Sequence, residues 1–474
     1  MNNIFWSSLS NIYKSVSQFL LILIVSRFIE PAGFGAFSIA LLSIQLLDMI
    51  GDFGLFSAVF YKQELSPEEH SAVFWFNLII GAGLFVVAFI GAGLLGEFYG
   101  SYSLSIVIKA LAVNLLFSGY GRYAKTLLQK ELEFRVIALL EIFAATTSLV
   151  LAIIAVYSRT GIYSLVISST VFTFISHFGF VFVLRKSHQI TSRFKTQHLS
   201  PHLKIGFYQF GGRLLDFLSE QVDTLLIGKF IGMADLGSYT LMKTLVLKLS
   251  GIVNSGLYFP LAAKLSKTKE NLGMVASVMK SSRLIIILNI VAFLPLILFP
   301  KDMITIVYGS QYTGSAFVLR ILAYIMVVMA LGIPIAALQV AKGRTDLGFL
   351  WTVFRLVIVS FVTVYVLSIS IDTFIITLLL LSLLLNYLYL RFVARKLVPL
   401  SLFKYYRMLL QEISIPISLL IAIHIVEYYH GMIPVYYGAA ILVIILILTQ
   451  MVLHYKNEII TLKNDILSRD NFIK

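Results

Sequence analysis

The chain contains no cysteine, which excludes disulfides and thiolate metal sites and says little about compartment. Charge is scarce. Asp, Glu, Lys and Arg make up 13% of the 474 residues, against about 25% in a soluble domain. Acidic residues are the rarer sign, 23 against 37 basic ones, for a net charge of +14. Long polar segments are missing too. The longest stretches between apolar runs lie near 60–71, 185–204 and 263–281, and none has room for a folded soluble domain. Catalytic signatures are absent: no HExxH, GxSxG or P-loop, no DxD in a loop, and no histidine cluster in an apolar run. An ATP-driven pump, a resident metal and an organic cofactor are therefore not expected.

What the chain has in abundance is apolar sequence. It is 59% hydrophobic, with a mean hydropathy of +0.92. That is the composition of a multi-span helical membrane protein. Runs long enough to cross a bilayer fall near 5–29, 34–60, 72–96, 103–125, 134–157, 161–184, 205–230, 236–262, 282–300, 314–341, 347–369 and 372–394, with two more near 412–428 and 432–454. The first reads as a retained span, because no basic leader or cleavage site precedes a soluble part. Fourteen spans put both termini on one side. On that layout 26 of the 37 basic residues fall in loops on the side of the termini and three on the other. The positive-inside rule makes the first side cytoplasmic. The basic excess is thereby accounted for without nucleic acid, since no basic face outside the membrane is large enough to bind it.

The chain also repeats itself. Shifted by 202 positions, Arg27-Phe28-Ile29 falls on Lys229-Phe230-Ile231, Ala32 on Ala234, Gly35 on Gly237, Phe37 on Tyr239, Ser38 on Thr240 and Gly54-Leu55 on Gly256-Leu257. Six spans separate the copies, so the repeat is parallel. The expected fold is all-α. A six-helix bundle over 1–184 and a second over 205–396 are joined by a basic cytoplasmic linker, 185–204. Two additional spans over 397–455 and a cytoplasmic tail, 456–474, complete the chain.

Charges inside spans mark the candidate site, because each costs about 2.5–3.5 kcal/mol at mid-bilayer. Arg213, Asp216, Glu220 and Asp223 are spaced three, four and three residues apart, which puts them on one helical face. They read either as ion pairs of Arg213 with Asp216 and Glu220, or as one wall of a polar path. Lys14, at the repeat position of Asp216, shares a face with Asn11, Ser15 and Gln18. Gln45, Asp48 and Asp52 share a face of the second span. Asp48 and Asp52 are a candidate proton relay, or belong with Lys109 and Asn114 of the fourth span and Glu141 of the fifth to a set of structural ion pairs inside the first bundle. Lys243, Lys248 and Arg320 are further candidates for the cavity, and Arg355 lies near enough to a span end to reach it. A cavity lined by such bases suits an anion, and Arg213 is the favoured contact because its planar fork matches phosphate or carboxylate.

The twin junctions EPAGFGAF at 30–37 and GMADLGSY at 232–239, with FYQFGGRLLDFLSEQVDTLLIGKFIG leading into the second, carry a resemblance. The chain resembles the Wzx-type polysaccharide flippases, in the superfamily that also holds multidrug exporters of the MATE type and lipid II flippases. Within that group it is similar to the colanic acid and teichuronic acid exporter branch. The resemblance covers 1–396. It implies a protein of the bacterial cytoplasmic membrane that moves undecaprenyl-diphosphate-linked oligosaccharide for O-antigen, capsule or exopolysaccharide. It further implies alternating access, an H+ or Na+ gradient, and neighbours such as the polysaccharide polymerase and chain-length regulator. Polar residues of the central cavity are associated with transport in such proteins, which attaches to Lys14, Arg213, Asp216 and Glu220 by position. Two alternatives stand beside it: a drug or metabolite antiporter of the same fold, and a membrane enzyme of the same pathway, for which the loops are too short.

Overall fold

The computed structural model describes residues 2–52, 66–185, 200–268, 270–367 and 369–411. Among these the chain is helical throughout, with no strand. The order is α1 (Asn2–Val25), α2 (Pro31–Asp52), α3 (Pro67–Phe98), α4 (Tyr102–Lys130), α5 (Phe134–Tyr157), α6 (Tyr163–Leu184), α7 (Ser200–Phe230), α8 (Met233–Lys267) and α9 (Asn271–Leu298). There follow a short α10 (Pro300–Val307), a 3-10 turn (Ser310–Ser315), α11 (Ala316–Ala330), α12 (Ile333–Ala341), α13 (Thr345–Leu367) and α14 (Ile371–Tyr389), which ends in a π-helical turn (Leu390–Ala394).

The all-α architecture expected above is the one observed, and the expected spans up to residue 394 fall on helix wherever they are described, the span 314–341 on two helices. Among the described residues, eleven helical stretches are long and apolar enough to cross a membrane. The expected span not among them is α7, which carries the charged stripe. The spans at 412–428 and 432–454 and the tail at 456–474 lie outside the described residues. So do residues 53–60 of the second span and most of the linker.

Helix ends follow local chemistry. At the start of α3, Ser66 accepts from the Glu69 amide at 3.3 Å and the Glu69 carboxylate accepts from the Ser66 amide at 2.9 Å. Pro67 sits at the first helical position, where its missing N–H is no loss. Outward faces carry large apolar side chains, with Ile90 and Leu94 each 70% exposed and Phe361 76% exposed. Such surfaces are untenable in water and suited to lipid.

Three readings are corrected. The span expected at 103–125 is longer, because α4 runs on to Lys130; Arg122 and Lys125, which close that span and are among the 26 basic residues assigned to loops, lie inside the helix. The segment 263–281 is mostly helix, because α8 extends to Lys267 and α9 begins at Asn271. The span 314–341 is broken at Leu331–Gly332, with Pro334 seated in the first turn of α12.

The described chain divides into two compact units. One comprises Met1–Leu241, Ile304–Gly314 and Arg355–Thr373. Its central helix is α4, 61% of whose membrane-crossing window is buried against 17% for α3. α4 packs on α2, α3 and α6, while α5 packs on α1 and α6. Repeat-equivalent glycines meet here. A Cβ on Gly35 would overlap the Met233 carbonyl, and one on Gly237 would overlap the Pro31 carbonyl and lie 2.8 Å from the Gly35 nitrogen. The two junctions therefore touch backbone to backbone, an approach that only glycine allows. The other unit comprises Met242–Met303, Ser315–Phe354 and Phe374–Lys474. Its core joins α8, α9, α12 and the end of α14. Asn254 and Asn289 exchange amide hydrogen bonds of 3.1 and 2.9 Å across α8 and α9, and Tyr405 donates to Ser282 at 3.0 Å.

Candidate functional site

Polar residues at 114, 118, 122, 125 and 129 recur at intervals of four, four, three and four along α4 and so form one stripe. The stripe faces Gln45, Asp48 and Asp52 of α2, Ser169, Thr173 and His177 of α6, and Arg213 of α7. Together they line a cavity of about 620 Å³ within the first unit. That volume is in the range of small-molecule sites.

Two ion pairs stand one turn apart on α2. Asp52 is held by Arg213 Nη1 at 2.7 Å. Asp48 is held by Arg122 Nη2 at 2.5 Å and accepts from Ser118 Oγ at 2.5 Å. Arg122 also reaches Asn77 Oδ1 of α3 at 3.5 Å. The Arg122 side chain is only 13% exposed, whereas that of Arg213 is 49% exposed. Arg122 is therefore fixed by its neighbours, and Arg213 is the more accessible cation.

Behind this wall lies a second cluster. Glu141 of α5, 4% exposed, receives Lys14 of α1 at 2.5 Å, Lys125 of α4 at 2.8 Å and the Ser10 hydroxyl at 2.5 Å. Lys125 belongs to both, since it lines the cavity and pairs with Glu141. His177 is oriented from its own helix. Its Nδ1 lies 2.9 Å from the Thr173 carbonyl, which makes Nδ1 the donor and leaves Nε2 as the acceptor nitrogen. Gly121 lets α4 approach α6 at that point, because a Cβ there would overlap His177.

The cavity is thus lined by three basic side chains, Arg122, Lys125 and Arg213, against two carboxylates, Asp48 and Asp52. It can take an anion by exchange with the carboxylates, and it offers amides and hydroxyls to a neutral polar group.

A family model described as polysaccharide biosynthesis protein matches residues 24–317, more than half of the chain. The chain belongs to the polysaccharide biosynthesis protein family. Relatives include the lipopolysaccharide biosynthesis protein WzxC of Escherichia coli, 25% identical over 359 residues that span 74% of this chain and 71% of that protein. The teichuronic acid biosynthesis protein TuaB of Bacillus subtilis is 27% identical over 304 residues, 63% of this chain and 62% of that protein. Among solved structures, the lipid II flippase MurJ in an inward closed conformation aligns with a TM-score of 0.73 over 96% of this chain and 99% of that one. At 13% identity that likeness shows a shared fold. The resemblance read from the twin junctions is confirmed, and this family member is a multi-pass membrane protein with a transporter fold rather than an enzyme.

Within this family member the sequence-derived candidates separate. Arg213, Asp48 and Asp52 come together in the cavity. Arg213 pairs with Asp52 and not, as the stripe suggested, with Asp216 or Glu220, which lie exposed along α7. Asp223 accepts from Tyr239 Oη at 2.5 Å and from the Thr224 amide at 2.7 Å, ten residues from Arg213 and outside the cavity lining. Lys14 turns to Glu141. Lys243, Lys248 and Arg320 belong to the other unit, where Arg320 donates to the Ile297 carbonyl at 2.9 Å, in the last turn of α9. Arg355 donates to Ser219 of α7 at 3.2 Å. Sequence reasoning missed Arg122, Lys125 and His177 as cavity residues. The signal for the first two was the polar stripe on α4, passed over because both were counted with the loop that follows the span. Nothing in the local pattern distinguished His177.

Proposed function

We propose that this protein is a flippase that carries undecaprenyl-diphosphate-linked oligosaccharide units across the bacterial cytoplasmic membrane for assembly of a surface polysaccharide. The observation that carries the reading is the cavity of about 620 Å³, polar and net cationic, inside a bundle whose outer faces suit lipid. Family membership and the likeness of fold to a lipid II flippase support it. The diphosphate is the anion that Arg213 and Arg122 would hold in place of Asp52 and Asp48, by charge-assisted and bidentate hydrogen bonds. The polyprenyl chain would stay in the bilayer while the sugars cross. Alternating access, with both termini cytoplasmic, is the mode of movement. An H+ or Na+ gradient would act through Asp48 and Asp52, the carboxylates released when the anion takes their arginines. The polymerase and the chain-length regulator are the expected neighbours. The excess of cations in the cavity argues against a drug antiporter for cationic substrates.

The test is to delete the gene and measure lipid-linked oligosaccharide and surface polymer together, then to complement with wild type or Arg213→Ala at matched protein level. Accumulation of complete lipid-linked units with loss of polymer, not restored by Arg213→Ala, is the expected result. Absent lipid-linked units would place the protein earlier in the pathway. Two unchanged pools would overturn the flippase reading.

A further inference from the structure

We propose that His177 is a further contact for the diphosphate in the cavity, one that forms only when the ring takes up a proton, so that anion and proton bind together. The inference rests on the flippase reading above. His177 is half-buried on α6 and lines the cavity. Its Nδ1 lies 2.9 Å from the Thr173 carbonyl. A carbonyl only accepts, so Nδ1 carries the hydrogen, and the ring cannot turn over without losing that bond. Nε2 has no hydrogen-bond partner among the described residues and is not among the side-chain atoms sealed from solvent.

The open nitrogen ties its ligand to a protonation state. In the neutral ring Nε2 only accepts. The oxygens of an ionised phosphate also only accept, so the two cannot bond. With a proton on Nε2 the ring becomes a charged donor, and its bond to phosphate is charge-assisted. Position agrees with chemistry. A Cβ on Gly121, the residue before Arg122, would overlap His177, so α4 and α6 meet beside the root of Arg122. The charged groups that act on the ring are Arg122 and Lys125 of α4 and Asp48 of α2. Glu141 of α5 faces it only through Lys125, to which it is paired. Asp48 is the competing titratable group, because an anion that takes Arg122 frees it. Linkage makes the coupling reciprocal: if binding takes up a proton, affinity for the anion falls as pH rises, by up to about tenfold per pH unit where a whole proton is taken up.

The test uses the full-length protein in nanodiscs and, as probe, the lipid-linked oligosaccharide extracted from cells lacking this protein. Its diphosphate is a diester, so the ionisation that a phosphate monoester shows near pH 6 is absent and the probe keeps its charge. Binding to wild type is expected to weaken about tenfold from about pH 6 to about pH 8. His177→Gln offers an amide that donates without taking up a proton, and its affinity is expected to change less than about twofold over the same range. A wild type whose affinity does not change with pH overturns the inference, since Nε2 then accepts from a hydroxyl or touches nothing. A variant that keeps the wild-type pH dependence, at whatever affinity, assigns the proton to Asp48 and overturns it too. A wild-type protein that binds the probe at neither pH overturns the flippase reading and this inference with it. Should His177→Gln fail to fold, His177→Asn takes the same measurements. Calorimetry of the wild type in two buffers of different ionisation enthalpy must in either case show a proton taken up on binding, and its absence overturns the inference.

Discussion

Replacing Glu141 by glutamine tests whether the buried cluster of α1, α4 and α5 is held by charge. The change keeps the shape and removes the only carboxylate between two lysines. The Lys125 side chain is 35% exposed and opens to the cavity, so water can screen it and its loss of a partner counts for little. Lys14 is 21% exposed and sits twelve residues into a membrane-crossing helix, so it has no such refuge. An uncompensated cation at that depth costs about 2.5–3.5 kcal/mol, in line with the 3–5 kcal/mol typical of breaking a buried pair. Glu141→Gln is therefore expected to lower stability by about 3 kcal/mol. Lys14→Met alone leaves Glu141 with Lys125 and Ser10 and costs about 1 kcal/mol. The double variant removes both charges and returns to within about 1 kcal/mol of wild type, which makes the coupling in the cycle about 3 kcal/mol. The assay is denaturant unfolding of purified protein in micelles. A Glu141→Gln cost below about 0.5 kcal/mol, or a double variant no better than the single one, would refute the reasoning.

Three further outcomes follow from particular contacts. Gly237→Val drives a side chain into the Pro31 carbonyl, so folded protein on size exclusion should fall severely, whereas Gly83→Val, where nothing lies near a Cβ, should not. Arg320→Ala leaves the Ile297 carbonyl unpaired and should cost about 1–3 kcal/mol in the same unfolding assay. Burial pushes the Tyr405 phenol up to about 12, so it remains a donor to Ser282 at neutral pH. Tyr405→Phe should therefore cost about 1 kcal/mol, with no pH dependence of that loss between pH 6 and about 9.

The sequence by itself determined the helices that cross the membrane, because crossing is a local demand. A bilayer without water requires about 20 apolar residues with their backbone bonded internally, and that requirement is met or failed within one run of chain. The expected spans at 72–96 and 134–157 fall inside α3 and α5 for this reason. The parallel repeat was legible as well. Gly35 and Gly237 matched in sequence, and the fold gave the physical reason by packing each against the other's junction. The stripe on α7 marked Arg213 as a residue that lipid could not hold, and the face of α2 marked Asp48 and Asp52. What only the tertiary structure decided was the choice of partners. Arg213 had Asp216 and Glu220 within its own helix, yet it pairs with Asp52, 161 positions away in the chain. Lys14 was drawn to Glu141, and Arg122, at the end of an expected span, stands in the cavity wall. Periodicity fixes which residues share a face. An ion pair needs two atoms within about 4 Å on different helices, and that depends on which faces meet, how closely glycines such as Gly121 let them approach, and at what height. None of those is a property of any single stretch of sequence.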